Sequence, residues 1–279
     1  PDHHPQGKRH PERPQQLGRR NRQLPLHPRP ASQHHHRQHE HGRYCRITAG
    51  IDVVMSKFKG KPCIYCGSFE NITRDHVPPK NIFPDPKPGT LITVPSCKKC
   101  NQTAGKDDEY FRLALSIRYD LFPHEEIQKN WDKVKRGLSR KEGKGLRIDL
   151  INNMKILDTY SKGGIYLGKV PGYNVDMKRI NGVVERIMKG VFYHHKKYSL
   201  PRDIKAAAYS VQDMPITDYK YIDYYNSLIR FVAVSSLQSY GNGVFNYKIR
   251  FLEDNSDVGV FLSTFYDKAA FIGLFGSDV

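Results

Sequence analysis

The sequence predicts an α+β fold: a cysteine-stapled strand, loop, strand and helix, then more helices, then a C-terminal α+β module with a small antiparallel sheet. Three observations carry this. Two Cys-x-x-Cys pairs, Cys63/Cys66 and Cys97/Cys100, bracket a short apolar run. Residues from Asp176 to about Lys196 repeat apolar side chains every three or four positions. From residue 216 the chain becomes aromatic, and Val244 to Leu252 alternates after a glycine turn signal.

The chain has 279 residues, room for one or two domains. Three segments are expected. Residues 1–54 form a low-complexity basic tail, 55–138 the cysteine-stapled unit with packing helices, and 139–279 the accessory α+β module. The tail holds nine of the 13 His and seven of the 18 Pro but a single aromatic residue, Tyr44. It cannot bury enough apolar surface to offset its ordering entropy, so disorder is expected. His34, His35 and His36 could pick up stray metal, and Met55 reads as a natural start. With 45 Lys+Arg against 28 Asp+Glu the net charge is +17, which favours polyanionic partners, nucleic acid first. No apolar run is long enough to span a bilayer, so no membrane is expected; the best stretch, Phe261 to Phe275, is broken by Asp267 and Lys268. Paired cysteines without a secretory signal imply a reducing, cytoplasmic setting where thiols hold metal, with Cys45 left over.

In chain order, Gly67 supplies the turn after the first pair, a strand ends near Asp75-His76, and Pro78-Pro79 stops it. Residues 81–89 are a Pro-rich loop and Leu91 to Val94 a second strand. A short helix from Lys98 should end at Gly105, with another from Asp107 to about Tyr119, its acids at the positive end of the helix dipole. A helix over 124–137, a flexible link over 139–145 and short strands over 146–170 follow. After the helix that opens at Asp176, His194-His195 sits where a helix end favours cations. Gly241-Asn242-Gly243 turns into a strand over 244–252, partnered by 258–265.

Four sulfurs are what a tetrahedral structural Zn²⁺ needs, although the 30 residues between the pairs exceed common spacings. Between them stands Asp75-His76-Val77-Pro78-Pro79, and Asn101 directly follows the last cysteine. This arrangement, over about 40 residues, resembles the HNH endonuclease family. The resemblance implies a zinc-stapled ββα-metal finger that hydrolyses DNA, leaving 5′-phosphate and 3′-hydroxyl ends. It implies His76 as general base and Asp75 with Asn101 as ligands of a catalytic Mg²⁺ or Mn²⁺. The chemistry agrees: an imidazole suits proton abstraction at neutral pH, and hard oxygens suit those ions. The family's middle Asn, which holds the loop and the base, falls here near Thr90 or Leu91, and Thr90 could keep part of its role.

Arg74, Lys80, Lys98, Lys99 and Lys106 surround the motif as candidate phosphate contacts. Double-stranded DNA is the expected substrate, with the C-terminal part binding it, selecting it or forming a homodimer. The other expectation is a zinc-stabilised nucleic-acid-binding module without catalysis, marked by the missing Asn.

Overall fold

The computed structural model describes residues 57–161, 163–213 and 219–277. The expectations for residues 1–54, for Met55 and for Cys45 lie outside these residues.

The described chain is α+β, with five helices and antiparallel sheets. Strands β1 (Ile72–Val77) and β2 (Ile92–Cys97) form a two-stranded ribbon, His76 opposite Thr93 and Asp75 opposite Val94. Strand β2 runs past Val94 through Pro95. The Pro95 carbonyl accepts from the Ile64 N–H outside the ribbon, so its missing donor falls on the unpaired edge, where proline is tolerated.

Helix α1 (Lys98–Ser116) is continuous, where a break at Gly105 was expected. A helix-interior glycine costs about 1 kcal/mol. Downstream, α1 buries Tyr110, Phe111, Leu113 and Leu115, each contributing roughly 1.5–3 kcal/mol, so packing wins. Asp107 to Glu109 therefore lie mid-helix, away from the dipole end, and each pairs with an arginine: Arg179, Arg186 and Arg112 respectively.

Helix α2 (Glu125–Ser139) falls close to expectation. Residues 144–152, where short strands were expected, form helix α3 (Lys144–Asn152) instead. Short strands do follow: β3 (Met154–Tyr160) pairs with β4 (Tyr166–Tyr173). Helix α3 buries no residue, so it leaves no apolar period to read.

Helix α4 (Met177–Lys196), capped by the Asp176 side chain, packs against α1, the ribbon and the main sheet. That sheet has the order β5-β9-β8-β7-β6: β5 Lys205–Ser210, β6 Gln238–Tyr240, β7 Phe245–Phe251, β8 Gly259–Phe265 and β9 Ala269–Gly276. Strand alternation divides its faces. Phe261, Phe265, Phe271 and Phe275 join the core with α4, while Val260, Leu262, Ile272 and Leu274 meet helix α5 (Tyr219–Ala233) on the other side. Sequence reading missed α5, whose tyrosines mask its pattern. The main core takes residues from both sides of 138/139, from Val77 and Phe111 to Val191 and Phe245. No helix among the described residues is long and apolar enough to cross a membrane.

Candidate functional site

The four cysteines converge. One ligand atom each from Cys63, Cys66, Cys97 and Cys100 lies within 4.8 Å of the others, a group that could hold a metal ion such as zinc. The Cys66 and Cys97 sulfurs stand 3.7 Å apart. Tetrahedral ligands at a Zn–S distance of about 2.3 Å would stand about 3.8 Å apart, so the donor set fits zinc. Local backbone builds each half. Gly67, at φ +78°, donates to the Cys63 carbonyl and closes the first turn. Cys97 caps α1, its sulfur accepting from the Cys100 N–H, which lowers the Cys97 thiol pKa to about 7.

The ribbon splits the other predicted residues between its two faces. Asp75 points inward and is 7 % exposed; its Oδ2 accepts from the Tyr65 hydroxyl at 2.9 Å. Burial and this carboxylate together raise the Tyr65 pKa well above its ordinary value. Arg186 of α4 pairs with Asp108 close by. Burial lifts Asp108 to about 6 against the pull of Arg186, and Asp75 pushes the same way as burial. Asn101 lies on this side too, its Nδ2 donating to Thr73 Oγ1 at 3.1 Å and to the Arg74 carbonyl at 3.5 Å.

His76 faces the other way, since the strand continues regularly to Val77 and neighbouring side chains alternate. Asp75 and His76, neighbours in the sequence, therefore do not share one face of the ribbon. The His76 ring is half-buried and makes no hydrogen bond among the described residues. Burial, with Lys80 and Arg74 beside it, lowers its pKa from 6.5, against a weaker pull from Asp75. Lys57 also acts on it, and Lys57 Nζ donates to Thr93 Oγ1, directly across the ribbon. His194, at the end of α4, has its pKa lowered by burial, Lys197 and the same Lys57.

Thr90 is exposed and makes no hydrogen bond among the described residues, so it does not hold His76. The loop is fixed elsewhere: Asn130 of α2 donates to the Asn81 carbonyl, and the Tyr266 hydroxyl donates to the Ile82 carbonyl at 2.6 Å. Lys98 and Lys99 are exposed in the first turn of α1, Lys80 is exposed just beyond β1, and Lys106 is exposed farther along α1. Sequence reading missed Tyr65, Asp108, Arg186 and Lys57. Tyr65 stood inside the first Cys pair, but nothing local marked Arg186, which reaches Asp108 only through the packing of α4 on α1.

For a magnesium-type ion the inner face offers hard oxygens. Asp75 keeps Oδ1, and Asn101 its amide oxygen, without a hydrogen bond among the described residues. Such an ion needs only one or two protein ligands, so the donor chemistry fits. Compared with protein-family models, with curated proteins and with solved structures, the chain finds no match.

Proposed function

We propose that this chain is an HNH-type endonuclease, a metal-dependent hydrolase of phosphodiester bonds in double-stranded DNA that works in a cytoplasmic setting. Supporting this above all is the setting of His76: an imidazole kept neutral near physiological pH by burial and by Lys80 and Arg74, the cations that would meet a phosphate. His76 takes a proton from water, whose oxygen bonds to phosphorus as the bond to the 3′ oxygen breaks. That oxygen is protonated from solvent, leaving 3′-hydroxyl and 5′-phosphate ends. Asp75 and Asn101 would be the oxygen donors for Mg²⁺ or Mn²⁺, which would supply positive charge at the phosphate; this requires the Asp75 carboxylate, now buried against Tyr65, to turn toward the His76 side of the ribbon. A zinc ion on the four cysteines would be structural, with Cys97 and Cys100 at the end of β2 and start of α1 held against Cys63 and Cys66 of the first turn. Arg74, Lys80, Lys98 and Lys99 contact the backbone without reading sequence.

Two observations favour a second reading, a binding module without catalysis: Asp75 is turned from His76 toward Tyr65, and Thr90 does not support the base. A plasmid-nicking assay with Mg²⁺ or Mn²⁺ tests the choice. Nicking by the wild type that is lost in His76→Ala supports the nuclease. If both proteins bind DNA with steep salt dependence and neither cuts it, the binding module stands.

A further inference from the structure

A cavity of about 920 Å³ opens between α1, α2 and the start of α3, walled by Lys106 and Arg112, by Arg136 and Gly137, and by Arg140 and Gly145. Six basic residues line it against three acidic ones, so an anion is favoured over a metal cation. We propose that it is a second ligand site, taking a molecule with two or more linked phosphates, whether or not His76 cuts nucleic acid.

The first ground is Arg112. It is 6 % exposed, and its Nε has no hydrogen-bond partner, although its other end pairs with Glu109. Leaving a buried donor unsatisfied costs roughly 1–3 kcal/mol, more for a charged group, so such a group lining a cavity points to an external acceptor. Gly137 leaves room for this guanidinium, because a Cβ there would stand 3.0 Å from its Nη2.

The second ground is the start of α3. Its N-cap is Gly143, which offers no side-chain cap. The Lys144 N–H is taken by the Lys141 carbonyl, but those of Gly145 and Leu146 have no intrahelical partner and carry the positive end of the helix dipole. A Cβ at Gly145 would meet nothing within 4 Å, so an anion can approach that backbone.

The third ground is which cations are committed. Lys133 pairs with Asp85 and Arg179 with Asp107, whereas Lys106 and Arg140 make no ion pair among the described residues. The free donors come from α1, from the residue that ends α2 and from the start of α3, an arrangement that suits a ligand with more than one phosphate. The volume lies within the range of about 300–1,000 Å³ typical of small-molecule sites.

Such phosphates could belong to a free nucleotide or to a nucleic-acid strand. Calorimetric titration of the full zinc-loaded chain tests both, with inorganic triphosphate, ATP and a short single-stranded oligonucleotide as probes. Triphosphate should bind the wild type. Arg140→Gln should weaken it about tenfold. Gly145→Glu should abolish binding with an unchanged melting temperature, because the new side chain enters open space and an acid suits a first helical turn. Competition between oligonucleotide and triphosphate assigns the site to a strand, while tighter binding of ATP without such competition assigns it to a free nucleotide. No heat with any of the three probes, or unchanged affinity in both variants, overturns the proposal.

Discussion

The cysteine-stapled ribbon and the five-stranded sheet share one helix, α4, yet they are held together by different means. The ribbon has two strands, too few to stand alone in water, and four sulfurs converge at its base. The sheet covers one face with α4 and the other with α5, and its phenylalanines interlock: Phe245 and Phe265 lie 5.2 Å apart, and Phe111 meets Phe265 edge-on at 5.0 Å. Apolar burial accounts for the sheet; the ribbon gives Val77, Ile92 and Val94 to the same core but also carries a four-sulfur group that could hold an ion. A site placed on the ribbon would then depend on metal even where metal does no chemistry.

Removing that ion should separate the two regions most sharply. Structural zinc contributes roughly 10–16 kcal/mol of apparent binding energy in small sites. A strong chelator, or Cys97→Ser, should abolish amide-exchange protection over Ile72–Val77 and Ile92–Cys97 while β7, β8 and β9 remain protected. Protection retained in the ribbon would erase the distinction. Next in size is Phe261→Ala on the α4 face of the sheet, where loss of a fully buried ring should cost about 3–5 kcal/mol in denaturant unfolding. Because the core is continuous, that loss should also lower protection in the ribbon.

Gly190→Ala probes the shared surface. A Cβ there would stand 2.4 Å from Val77 Cγ2, so α4 and β1 must move apart, at a cost of about 1–3 kcal/mol and with changed exchange at Val77. The smallest effects belong to the outer cations. Arg74→Ala and Lys80→Ala should each flatten the salt dependence of DNA binding by about one counterion and leave the melting temperature nearly unchanged.

The elements that sequence exposed are those whose burial follows one period. Helix α4 buries Ile180, Val184, Ile187 and Val191 along one stripe, and β7, which follows the Gly241-Asn242-Gly243 turn, and β8 fall where alternation placed them. Helix α3 buries nothing and showed no pattern. Gly105 carried a local stop signal that the packing of Tyr110 and Phe111 overrode. In the site, the cysteine pairs were legible because ligand spacing is a local property. The division of Asp75 from His76 was not: it depends on the strand running regularly to Val77, one residue past the end that was expected near Asp75-His76. The pairing of Asp108 with Arg186 arises only when α4 packs on α1.

His76 also links stability to pH. Its folded pKa lies below the ordinary 6.5, so the unfolded chain binds the proton more readily, and the fold should lose stability as pH falls through 6.5 toward the folded value. Under the proposed nuclease reading the same shift would set the pH profile, and the pH dependence of single-turnover DNA cleavage tests the role of His76 most directly. The rate should be level through neutral pH and fall tenfold per unit only below a midpoint under 6.5, with no such limb in His76→Ala. A midpoint above neutrality, or a His76→Ala protein that keeps the wild-type rate and profile, would contradict it.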